Sequence, residues 1–156
     1  MKLETKTLDV NAILEDDVVK LVPFVLKDDL ETLLDLIMKC KYTRFLREQA
    51  RGALLKIPGT FWHCYIKKTG DLGGIVYVTR PAGRNWTLDA YKDDALLKDI
   101  DNTMDYSYRV GKLVTDFALQ FTNTIVTAHA FENRGATIVC KKLGFKEDFI
   151  FMRKDR

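Results

Sequence analysis

A chain of 156 residues with 25 Lys and Arg against 22 Asp and Glu is long enough for one domain with its own hydrophobic core. Hydrophobic residues make up 47% and charged residues 30%, which excludes a disordered or fibrous chain, and no apolar run approaches the length of a membrane span. The net charge of +3 is too mild to point to nucleic acid by itself. Residues 1–6 lack the apolar core of a signal peptide, so a soluble, cytoplasmic protein is expected. Cys40, Cys64 and Cys140 form no CxxC pair. The adjacent His63 and Cys64 would point to opposite faces of a strand, so no metal site is expected.

Residues 1–17 read as an N-terminal extension with a short helix around 10–14, ahead of one domain over 18–156. The β-branched run 18–26 contains Pro23, which suits an edge strand. Asp28 with Glu31 three residues on has capping-box spacing for a helix whose Leu30, Leu33, Leu34 and Ile37 share one face. A second helix from near Thr43 would bury Leu46, Ala50 and Leu54 and stop at Pro58-Gly59. The strands 61–68 and 72–79 flank the turn Thr69-Gly70-Asp71. After Pro81-Ala82-Gly83-Arg84-Asn85, a third strand over 86–91 places Thr87, Asp89 and Tyr91 on one face.

From Asp89 to Asp105 six aspartates face two lysines, a local balance of −4. Such a stretch is a solvated loop or an attractor for a cationic amine. Tyr106, Val110, Leu113, Val114, Phe117, Ala118 and Phe121 then form one helical stripe. A buried strand over 124–131 follows, then a helix over 133–143 that buries Ala136, Val139, Cys140 and Leu143. Gly144 sits at its left-handed C′ position with Phe145 behind it, and a last strand covers 149–153. The segment 39–56 carries six basic residues and one Glu. It reads as a solvated helix face, or as a surface around Arg44, Arg47 and Arg51 for an acidic partner or nucleic acid.

Asn133-Arg134-Gly135-Ala136 followed by Cys140-Lys141-Lys142-Leu143-Gly144-Phe145, behind a long helix and a buried strand, resembles the signature of the GCN5-related N-acetyltransferase (GNAT) superfamily. Leu21-Val22-Pro23 and Asp28-Asp29-Leu30-Glu31 are similar to that family's first strand and helix, so the resemblance covers 18–156. It implies an α+β fold: a mixed, mostly antiparallel central sheet flanked by helices. It implies transfer of an acetyl group from acetyl-CoA to a primary amine of a small molecule or protein. A GNAT-fold binding or regulatory protein without catalysis is the alternative. The reading calls for no metal and no membrane, does not expect nucleic acid as partner, and leaves a homodimer open.

The resembled family holds the CoA diphosphate at a Gly-rich turn opening the helix after the meander, where free backbone N–H groups and the helix dipole favour an anion. Two registers are open here. Tyr106-Ser107-Tyr108-Arg109-Val110-Gly111 keeps the last glycine and has Arg109 in place of the first; Met104-Asp105-Tyr106-Ser107 has no glycine, and its Asp105 would repel a diphosphate. The candidate cofactor-binding residues are therefore Tyr106, Ser107, Tyr108, Arg109, Val110, Gly111 and Lys112. To these the resemblance adds Asn133, facing the pantetheine arm, although asparagine also suits a helix N-cap. As general base the resemblance points to Asp89, with His129 second. Where the family places a tyrosine acid, seven residues after the asparagine, this chain has Cys140. That residue is also simply placed for the core, and Tyr91 and Tyr108 are further acids.

Overall fold

The computed structural model describes residues 8–97, 103–130 and 132–147. Its strands are β1 (Leu14–Glu15), β2 (Val19–Phe24), β3 (Gly59–Ile66), β4 (Leu72–Thr79), β5 (Trp86–Lys92) and β6 (Ile125–Val126). The helices are α1 (Leu26–Lys39) and α2 (Arg47–Lys56) after β2, α3 (Asp94–Leu97) and α4 (Thr103–Ala118) after β5, and α5 (Arg134–Lys142) after β6. All six strands form one sheet in chain order. Neighbours are antiparallel except β5 and β6, which are parallel. This is the α+β, mostly antiparallel architecture that the sequence predicts. The strand expected over 149–153 lies outside the described residues.

Alternation along the strands sorts the core into two layers. Trp62 and Cys64 of β3, Val76 and Val78 of β4, and Leu88 of β5 meet the α4 stripe of Tyr106, Val110, Val114 and Phe117. Phe61, Ile75 and Tyr77 face the other way, against Leu33, Leu34 and Ile37 of α1 and Ala50 and Leu54 of α2. A sheet apolar on both faces needs helices on both, and α4 on one side with α1 and α2 on the other supply them.

Several local expectations change. Residues 10–14 form no helix: Leu14 pairs with Leu21 in β1, and the Trp62 indole N–H donates to the Ala12 carbonyl at 2.9 Å, so this segment packs on the sheet. β1 covers only Lys20 and Leu21, and Pro23 lies beyond it on the open edge where proline is tolerated. Asp28 does not cap α1, and Glu31 reaches across to Arg47 and Arg51 instead. Asp29 breaks the helix at φ −145°, ψ 31°, and its carboxylate accepts from the Thr32 hydroxyl and meets His63 Nε2, each at 2.5 Å. α2 starts at Arg47 rather than near Thr43, which leaves Leu46 exposed at its N-cap, where the Gln49 side chain accepts the Leu46 N–H. The 124–131 strand shrinks to the two residues of β6.

The α5 terminus is as the sequence predicts. Gly144 has φ +89°, Phe145 N–H bonds the Cys140 carbonyl at 3.0 Å and Gly144 N–H bonds Lys141 at 3.1 Å, the paired bonds of a Schellman cap. Ala136, Val139, Cys140 and Leu143 are half-buried rather than core. Gly74 carries a different constraint, because a Cβ there would lie 2.5 Å from the Tyr91 carbonyl oxygen and 3.0 Å from Lys92 Cα. Backbone cannot yield as a side-chain tip can. Gly74→Ala is expected to cost about 2 kcal/mol and lower Tm by about 4–8 °C, read by thermal unfolding.

Candidate functional site

The sheet opens at β5. Only Trp86–Ile125 and Thr87–Val126 pair across β5 and β6, and the Thr127 hydroxyl then donates to the Leu88 carbonyl at 2.8 Å. Beyond that point the outer edge of β5 has no strand partner among the described residues. Asp89 is the first residue past the parting. It lies opposite Tyr77 of β4, on the face shared with Tyr91, as alternation predicts.

Burial pushes the Asp89 carboxyl up to about 6. No hydrogen bond or ion pair to it is formed among the described residues, so nothing offsets the lost solvation of its charge. Tyr77 and Tyr91 share its face, their rings stacked at 6.4 Å between centroids. Burial first, and the Asp89 charge second, hold both phenols neutral, with Tyr91 raised to about 12. Cys40, at the C-terminal end of α1, is close enough to Tyr91 to add to that effect. The site is therefore a half-buried carboxylate, unpaired among the described residues, on one face with two protonated phenols. Tyr77 and Cys40 escaped the sequence reading: Tyr77 reads as one more apolar-face residue, although the short 81–85 turn fixes it opposite Asp89.

The other expected site residues are dispersed. His129 is on an exposed irregular segment rather than a strand, and its Nε2 meets the Thr137 hydroxyl at 2.8 Å. Cys140 lies half-buried on α5, where burial raises its thiol pKa. Asn133 is the α5 N-cap, its side-chain oxygen accepting the Ala136 N–H at 3.1 Å. The preceding Glu132 pairs at 3.1 Å with Arg44, so the α1–α2 connection and the start of α5 are joined on either side of the β5–β6 parting. His63 and Cys64 do face opposite layers, His63 stacking on Phe24 at 3.9 Å and Cys64 entering the α4-side core. Arg44, Arg47 and Arg51 each meet a carboxylate, which neutralises much of the basic 39–56 segment.

α4 begins at Thr103, so Tyr106 to Lys112 lie inside the helix instead of on a turn at its start. Tyr106 and Val110 are core residues, and Tyr106 Oη is buried beside Cys64. Arg109 is bound by Asp105 at 2.8 Å and Asp16 at 3.1 Å; Lys112 is bound by Asp116 at 2.8 Å. Gly111 leaves room for the end of α5, since a Cβ there would meet a Leu143 methyl at 2.6 Å. Ser107 is half-buried mid-helix. Tyr108 faces a cavity of about 340 Å³, lined with Met104, Asp105 and Lys142, between the α4 start and the α5 end. The open β5 edge suits an extended amide-bearing arm. The first turn of α4, with its own carboxylate, is a poor fit for a diphosphate.

The fold is that of the GNAT acetyltransferases. An acetyltransferase from Agrobacterium tumefaciens str. C58 aligns with a TM-score of 0.63 at 15% identity, over 99% of this chain and 93% of that one. A GNAT-family acetyltransferase from Bacillus anthracis gives 0.62 at 13% identity, covering 88% and 86%. A GCN5-related N-acetyltransferase from Brucella melitensis gives 0.61 at 14%, covering 93% and 72%. No family model and no curated protein matches the sequence. At these identities the likeness shows the fold alone. No helix among the described residues is long and apolar enough to cross a membrane.

The raised Asp89 pKa has a stability consequence of definite sign. The folded state prefers the neutral acid, so the penalty is absent below the unfolded value near 4, grows as pH rises to about 6, and is constant above. Asp89→Asn is expected to gain about 1–2 kcal/mol at pH 7.5, about 3–6 °C in Tm, and nothing at pH 4. Paired thermal melts at both pH values check it.

Proposed function

We propose that the protein is an N-acyltransferase that moves an acyl group, acetyl from acetyl-CoA in the simplest case, from a thioester to a primary amine, with Asp89 as general base. The observation that carries this reading is the half-buried Asp89 carboxylate, unpartnered among the described residues, at the point where β5 and β6 part. A base is most effective when its pKa lies just below the working pH, because it is then ionised and still takes a proton readily. A carboxylate poised at about 6 meets that condition where an ordinary one would not.

The chemistry follows from the arrangement. Asp89 accepts a proton from the incoming ammonium, and the freed amine attacks the thioester carbonyl carbon. A C–N bond forms and the C–S bond breaks. Main-chain N–H groups on the open edge of β5 are suited to hold the carbonyl oxygen as negative charge builds on it. The departing thiolate takes a proton from Tyr91, the expected acid on the face of Asp89, and the proton that Asp89 accepted restores the phenol, so that no net charge is left on the pair. The acidic residues Asp93 and Asp94 just beyond β5 favour a cationic acceptor. A GNAT-fold binding protein without turnover is favoured by one observation, the carboxylates that hold Arg109.

Calorimetric titration with acetyl-CoA, followed by an amine screen for acetyl transfer, separates the two. With an accepted amine, kcat/KM is expected to rise with pH to a plateau above about 6 to 7, and Asp89→Asn to lose that rise and at least about 100-fold in rate. Binding without transfer to any amine would select the non-catalytic reading.

A further inference from the structure

The first turn of α4, where the resemblance places the diphosphate, already carries an anion in Asp105. Between Asp93 and Asp105 there are five aspartates and one lysine, and no glycine occurs between Gly83 and Gly111 to let a phosphate approach the backbone. Asp105, in the first turn of α4, puts a carboxylate where the helix dipole would otherwise attract a ligand anion, and it lines the adjoining cavity. Arg109 gives no compensating charge, because Asp105 and Asp16 both hold it, and Lys112 is engaged by Asp116. Only Lys142 adds a cation to the cavity wall among the described residues.

The thioester side of the same site has no such obstruction. Past Leu88 the β5 edge has main-chain groups without a strand partner among the described residues, and Asn133 opens α5, the helix that follows β6. Resting on the acyltransferase reading above, we infer that this protein recognises its acyl donor through the pantetheine arm and thioester and leaves the nucleotide diphosphate unread. The donor class is then any pantetheine thioester, with or without the nucleotide, and Asp105 is the residue that sets this indifference. Asp105 touches no reacting atom; it acts by opposing the diphosphate and by holding Arg109.

The test is calorimetric binding of acetyl-CoA and of S-acetylpantetheine to the wild-type protein and to Asp105→Asn, with circular dichroism to confirm that the variant is folded. The wild-type affinities are expected to agree within about threefold, and Asp105→Asn to tighten acetyl-CoA by about five- to tenfold while leaving S-acetylpantetheine unchanged. A wild-type preference for acetyl-CoA above about thirtyfold overturns the inference and leaves the acyltransferase reading standing. So does a variant whose preference equals that of the wild type. Binding of neither thioester overturns both.

Discussion

The parallel ladder between β5 and β6 carries two residue pairs, and the rest of the site depends on where it stops. A longer ladder would consume the outward main-chain groups of Ala90 and Lys92 in strand pairing and leave no gap beside Asp89. The stop is chemically defined: the Thr127 hydroxyl takes the Leu88 carbonyl that the next rung would have used. One side chain thus satisfies the last acceptor of the pair and releases the chain toward α5. The same parting explains why the predicted 124–131 strand is so short. Its β-branched residues have strand propensity, but among the described residues the chain leaves the β5 edge after Val126.

What makes the gap chemical is the layer behind it. Alternation puts Asp89 on the face of Phe61 and Tyr77, which α1 and α2 cover, so the carboxylate stands at the rim of an apolar layer. A polar face in the same position would leave its pKa near that of a free carboxylate. The cost of keeping the charge there is met by packing elsewhere in the α1 and α2 layer, from Leu33, Leu34 and Ile37. Under the proposed reading, function and stability oppose each other at this residue.

Much of this was legible from spacing. The i, i+3, i+4 stripe of α4, the alternation that groups Thr87, Asp89 and Tyr91, and the Gly144–Phe145 cap are all local periodicities, set within a few residues. Long-range polar pairs leave no such trace. Arg109 bonds Asp16 from 93 residues away, and His63 meets Asp29 from 34 away. No window of sequence contains both partners. The start of α4 was ambiguous for a related reason: its apolar stripe begins at Tyr106, but the helix begins a turn earlier in polar residues that bury little. Glycine misled in the same region, since Gly111 reads as part of a phosphate turn and in fact admits Leu143.

That last substitution of roles bears on how the fold has been used. In a helix start built for an anion, glycine keeps the backbone bare and the positive end of the dipole exposed. In α4 the glycine stands about two turns inside the helix and serves helix packing, and the first turn carries Asp105, whose charge the dipole stabilises internally. The carboxylate also binds Arg109, and through it α4 is tied to the β1–β2 turn at Asp16. Restoring an anion site would thus disturb more than one contact. A ligand phosphate would have to displace a carboxylate that is already bonded to its own cation. The electrostatics at this end of the molecule are satisfied from within, while the carboxylate at the β5 parting is left unsatisfied. On that contrast rests our proposal of Asp89, and not the start of α4, as the base.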